Sequence, residues 1–257
     1  MDIAVVIKQT PDTEARIVPD IANARQIIND GINFILNPYD EFALEEALKI
    51  TESSGGEVIC IAIGPESSEP AMRTALAMGA TRGILVTNSE AVDADIVTQG
   101  KILAAAIRTV NPAMILCGRE WIDMQEDALA AILGEYLDMP HIMNAARITL
   151  NGSQITVNRE VEGATFEITS PLPAVVSCQK GLNEPRYPTL IAIRKSKSKE
   201  LKMMSSAELG FASIAPASRI VSLEAPPPRA QGKMISGDTD HLVAQSLKWL
   251  SDEAKLI

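Results

Sequence analysis

Few side chains in this sequence are of a type and spacing that do chemistry, and most of them follow apolar runs. Lys8 comes directly after Asp2 to Ile7 (DIAVVI), and Gly64 closes Glu57 to Gly64 (EVICIAIG). Asn37 and Asp40 flank Pro38 at a helix start. The stretch from Gly118 to Leu129 (GREWIDMQEDAL) crowds Arg119, Asp123, Glu126 and Asp127 behind Cys117. A lysine, a glycine-led loop and the amides of a following helix are the parts of an anion or nucleotide site. Neither a Gly-x-Gly-x-x-Gly fingerprint nor a Walker loop occurs, so a Gly-rich dinucleotide fold or an NTPase is not supported. Glu126 and Asp127 either repel an anion at the helix start or occupy its positive end themselves.

Candidate catalytic groups are weaker. The pairs Asp93 with Asp95 and Glu45 with Glu46 fall in the first half of helices, where acids serve capping and solubility. The histidines are His141 and His241, and neither has a serine or cysteine beside it in sequence. Cys60, Cys117 and Cys178 lie in apolar runs with no Cys-x-x-Cys spacing, which reads as buried reduced thiols and suits a cytoplasmic protein. No metal site and no reaction class follow from this set.

The elements that must position these residues alternate. Strands are expected at Asp2–Ile7, Glu57–Gly64, Ile84–Thr87 and Ala113–Cys117. Helices are expected after Asn37-Pro38, at Pro70–Met78, Asp93–Val110 and Asp123–Leu137. Alternation of this kind implies an α/β fold, a doubly wound and mainly parallel sheet. Ligands of such sheets bind beyond the carboxyl ends of the strands, at the switch in strand order. Two short strands within residues 16–34 read as a hairpin on the sheet edge. After His141, Asn151-Gly152 marks a second hairpin, and an antiparallel layer joins the sheet. Residues 1–200 read as one nucleotide-binding domain. Residues 201–257 form an arm, with Pro226-Pro227-Pro228 and a terminal helix carrying Leu242, Val243, Leu247 and Leu250 on one face.

Composition narrows the classes further. A formal net charge of −10 over 257 residues argues against a nucleic-acid surface, and no apolar run is long enough to span a membrane. The tract Arg194 to Lys199 is the basic exception, a solvated end or a steering patch for an acidic partner.

Several stretches resemble the beta subunits of electron transfer flavoproteins. These are VIKQTPDT, NPYDEFALEEAL, ALAMGATRGILV, the loop opening CGRE, NREVEGATFEITSPLPAVVSC and LNEPRYPTLIAIRKSKSKEL. The resemblance covers almost the whole chain. It implies a heterodimer with an alpha subunit that holds the electron-shuttling FAD, and no catalytic residues here. It further implies an adenine nucleotide in this chain, AMP in ordinary carriers and a second FAD in bifurcating ones. The positions that match the nucleotide site are Ile7, Lys8, Asn37, Asp40, Ile63, Gly64, Gly118, Asp123, Met124, Gln125, Glu126, Asp127, Ala128 and Leu129. The loop departs from the family pattern at Gln125, Ala128 and Ala130, which favours an ordinary carrier over a bifurcating one. A recognition loop over about 182–196 would dock acyl-CoA-type dehydrogenases through Asn183, Glu184, Pro185, Arg186, Tyr187 and, as apolar anchor, Leu190. Read locally, Leu190 is instead a core residue opening a strand that runs to Ile193. Electrons would pass to an acceptor such as a quinone oxidoreductase. A stand-alone adenine-nucleotide module is the competing reading, and it leaves the recognition loop and arm without purpose.

Overall fold

The computed structural model describes residues 1–257 except 24, 88, 93, 230 and 233 and the side chains of Ser89 and Val92. In chain order its elements are β1 (Ile3–Val6), β2 (Gln9–Pro11), β3 (Phe34–Leu36), α1 (Pro38–Ser54), β4 (Val58–Ile63), α2 (Glu69–Met78), β5 (Arg82–Val86), α3 (Ser89–Val92), α4 (Ile96–Arg108), β6 (Met114–Gly118) and α5 (Leu129–Leu137). There follow β7 (His141–Asn151), β8 (Gln154–Val161), β9 (Ala164–Pro171), β10 (Ala174–Cys178), α6 (Leu190–Ser196), β11 (Leu201–Met204) and α7 (Thr239–Lys248).

Nine of these strands form one sheet in the order β11-β5-β4-β1-β6-β10-β7-β8-β9, and β2 with β3 forms a separate ribbon. From β11 to β7 every pairing is parallel; β7, β8 and β9 pair antiparallel. The expected α/β class is therefore the observed one, with the antiparallel strands extending the same sheet. β1, β4 and β6 are apolar at every position because helices cover both faces. Their period of two sends Ile3, Val5, Val58 and Cys60 to one core and Ala4, Val6, Ile59 and Ile61 to the other. α1 and α2 supply Leu44, Leu48, Met72 and Leu76 to the first core, while α4 and α5 supply Leu103, Ile107, Leu129 and Leu133 to the second.

Four local expectations change. Residues 16–34 do not line the sheet edge: apart from Phe34 of β3, the antiparallel pairing among the described residues is the bridge of Pro19 with Ile27, on a loop rooted in the β2–β3 ribbon. Ile17, Val18 and Ile28 stay exposed, so no buried face fixes a longer ladder there. The helix expected from Asp123 begins at Leu129, because Trp121 and Glu126 exchange backbone hydrogen bonds and close a tight loop first, with Gln125 at φ 53°. The helix expected from Asp93 begins at Ile96, with Asp95 as its N-cap; Asp93 itself lies outside the described residues. Residues 190–193 are helical, the first turn of α6.

β11 lies past residue 200 and still pairs with β5, and Leu209, Phe211 and Ile214 pack partly against the second core. Beyond them the described residues of the arm are irregular until α7, which continues as a π-helical turn over Trp249–Glu253 and buries none of its residues. No helix among the described residues is long and apolar enough to cross a membrane.

Candidate functional site

The chain leaves β1 for β4 and β5 on one side, then crosses back to β6 on the other side of β1. The switch in strand order thus lies between β1 and β6, and their carboxyl ends are Lys8 and Gly118. Asp40, in the first turn of α1, ties these two ends together. Its Oδ2 accepts the Lys8 amide at 2.8 Å and its Oδ1 the Gly118 amide at 3.0 Å. Only glycine allows this approach, since a Cβ on residue 118 would lie 2.4 Å from Asp40 Oδ1 and 2.7 Å from Tyr39 C. Burial raises the Asp40 carboxyl to about 7, against the lowering pull of the Asn37 side chain, the two amides and the Lys8 charge. Asp40 is fully buried.

Asn37 precedes α1 at its cap position. Its side chain does not cap α1; it donates to Glu120 O at 2.9 Å and accepts from the Ile122 amide at 3.3 Å. α1 thereby holds the loop after β6. Lys8 pairs with Asp123 at 2.7 Å, and its ammonium sits 4.6 Å from the centre of the Trp121 ring. Ile7, Ile63 and Leu129 are core side chains and Gly64 packs against Ser68, so these four positions offer backbone only. Met124, Gln125, Asp127 and Ala128 are exposed, while Glu126 is half-buried. Burial raises the Glu126 carboxyl; nearby Lys8 opposes this, and Asp123 and Asp95 add to it.

Two features of this loop fit a phosphate or ribose oxygen. No side chain caps α5 among the described residues, since its cap position is Ala128, so its first amides have no helical partner. The indole nitrogen of Trp121 is buried without a hydrogen-bond partner among the described residues, a donor that an acceptor would satisfy. The Lys8 and Gly118 amides are already taken by Asp40. The fit therefore lies at the start of α5.

The second region lies along α1, from Phe42 to Glu52. Arg186 reaches Glu45 and Glu52, and Asn183 donates to Phe42 O and Glu46 Oε2, each at 3.0 Å. Glu45 and Glu46 are buried acceptors, against the solvated acids expected of them. Glu184 is exposed and Pro185 half-buried between these two anchors. Thr189 then caps α6 by accepting the Ala192 amide at 3.2 Å. Leu190 is 78% exposed and Tyr187 94%, which rules out the core-strand reading of Leu190.

The far end of α6 is clamped reciprocally. Arg73 of α2 donates to Ser196 O and Lys199 O, and Lys199 donates to Leu76 O and Ala80 O at the end of α2. Each cation meets the negative end of a helix. Lys199 thus belongs to the body, leaving Arg194, Lys195 and Lys197 exposed. Sequence reasoning missed Glu45, Glu52, Arg73 and Lys199 as braces. The seven-residue spacing of Glu45 and Glu52, which puts both on one helix face, was the available signal.

The model of the electron transfer flavoprotein domain matches residues 25–209. The chain is 34% identical to the electron transfer flavoprotein subunit beta of Bacillus subtilis over 260 residues, covering 100% of both. It is 33% identical to the subunit of the same name from Bos taurus over 248 residues, covering 95% of this chain and 92% of the other. Syntrophomonas wolfei has a third relative of that name, 34% identical over 257 residues, covering 100% of this chain and 98% of the other. The chain belongs to the electron transfer flavoprotein family, among its beta subunits.

Proposed function

We propose that this chain is the non-catalytic half of a heterodimeric electron carrier fed by acyl-CoA-type dehydrogenases and drained by an acceptor such as a quinone oxidoreductase. The observation that carries the reading is Leu190: an apolar side chain held out to solvent on a helix start braced at both ends. A rigid exposed apolar anchor of this kind supplies interface energy with little ordering loss. Redox chemistry is supplied by FAD when bound, held mainly by the alpha subunit. The residues of this chain bind, orient and brace.

AMP is the nucleotide proposed for this chain, its phosphate received by the first amides of α5 and its neighbour Trp121. Exposed Asp127 can face solvent, whereas half-buried Glu126 opposes the anion. The side chains of Lys8 and Asp123 fix the adjoining loop, and Asp40 and Asn37 fix the strand ends beneath it.

The test is to co-express the chain with its alpha subunit, purify the complex, and release small molecules by denaturation for chromatography. One FAD and one AMP per heterodimer support the reading. Two FAD make the complex a bifurcating one. One FAD without AMP overturns the nucleotide assignment, and failure to bind any alpha subunit returns the chain to a stand-alone module.

A further inference from the structure

The arm leaves the body at Asp95. Asp95 caps α4 through Oδ1, which accepts the amides of Val97 at 3.0 Å and Thr98 at 3.1 Å. Its Oδ2 accepts the Thr98 hydroxyl at 2.9 Å and two amides of the arm, Ala217 at 2.6 Å and Ser218 at 3.2 Å. One side chain thus receives five hydrogen bonds from two segments more than a hundred residues apart in sequence. Just before this point Glu90 of α3 accepts the Ile214 amide at 3.3 Å. From residue 219 to α7 the described residues are irregular and almost wholly exposed.

We propose that Asp95 is the positioning residue that fixes where the arm departs, so that α7 is presented to the second subunit from a set origin. This rests on the heterodimer reading above. The length of free chain decides how large a volume α7 samples, and therefore its effective concentration at the partner. Val243 at 53%, Leu247 at 51% and Trp249 at 42% exposure are the apolar residues so presented. Releasing residues 215–218 from the body, beyond the Ile214 contact, lengthens the tether and adds ordering entropy that association must overcome.

Asp95→Asn separates the two roles. Asparagine caps a helix as well as aspartate, so α4 keeps its start. Its amide nitrogen, however, is a donor and cannot accept from Ala217 and Ser218. Ser218→Pro removes one of the arm's donors without touching Asp95. Hydrogen exchange on the chain alone is expected to show Ala217 and Ser218 protected in the wild type and exposed in Asp95→Asn, with the thermal midpoint of the body nearly unchanged. In the complex, both variants are expected to weaken binding of the alpha subunit by about tenfold. Unchanged protection in Asp95→Asn overturns the anchor, as does lost protection with an unchanged dissociation constant. If the wild-type chain binds no alpha subunit, the heterodimer reading fails, and hydrogen exchange still decides whether Asp95 holds the arm.

Discussion

Glu45 accepts from Arg186 three times: from Nε at 2.8 Å, from a terminal guanidinium nitrogen at 2.9 Å and from the Arg186 amide at 3.1 Å. The carboxylate is buried while the guanidinium is about a third exposed, with side-chain exposures of 7% and 36%. Removing the cation leaves a buried charge unpaired. Arg186→Met should therefore destabilise the chain by about 2 kcal/mol, less than a fully buried pair because solvent reaches the arginine. The double variant Glu45→Gln with Arg186→Met should recover part of that loss. Denaturant unfolding of all three proteins gives the coupling directly.

Leu190→Ala changes a side chain that packs against almost nothing in this chain. Its thermal midpoint should match the wild type. The rate at which a reduced acyl-CoA-type dehydrogenase passes electrons to the heterodimer should fall at least tenfold in kcat/KM, the effect of losing an interface anchor. Stopped-flow flavin absorbance checks this, and an unchanged rate would remove Leu190 from the docking surface.

Asp40 gives the chain a pH dependence of definite sign. Its folded value is raised to about 7 from an ordinary 3.8, so the native state holds a proton that the unfolded state has released between those values. Stability from this group is complete below about pH 4 and is lost as pH rises toward 7, with a slope of up to about 1.4 kcal/mol per pH unit. Asp40→Asn cannot titrate. Urea unfolding from pH 4 to 7 should show the wild type losing stability relative to this variant; parallel curves would mean that Asp40 is ionised throughout.

Glu126 places a half-buried carboxylate beside the start of α5. Glu126→Gln removes its charge while keeping its size. Isothermal titration of AMP-stripped heterodimer at low salt should show AMP binding about three- to tenfold tighter than wild type, with the advantage shrinking as salt rises. An unchanged affinity would place the phosphate away from this residue.

How much of this was legible in the sequence depended on range. β1, β4, β5 and β6 are apolar at nearly every position because both of their faces are covered, and α1 announces itself through Pro38 and its apolar stripe. α6 was misread locally because Leu-Ile-Ala-Ile is rich in strand-favouring residues. Its start signal was Thr189, which caps the helix, and its end is matched by Arg194 and Lys195 in the last turn. Asp40, Glu45 and Asn37 look like ordinary helix-start acids and a cap until tertiary contacts assign them. Their partners are 32, 141 and 83 residues distant, and no local pattern encodes such pairings. The loop from Trp121 to Glu126 was misread for a related reason, since its backbone bridge outweighs a helix-compatible composition.

The insertion of β10 between β6 and β7 has a consequence for how the chain must be made. β6 and β7 follow one another in sequence, yet each reaches the other only through β10, which is translated after the whole β7–β8–β9 meander. While the nascent chain lengthens, the outer side of β6 is an unpaired, wholly apolar strand edge, and it stays so until Cys178 has emerged. Such an edge is a template for pairing with another chain. Truncations that stop short of residue 174 should therefore aggregate, even though they contain every strand and helix of the switch-point crevice.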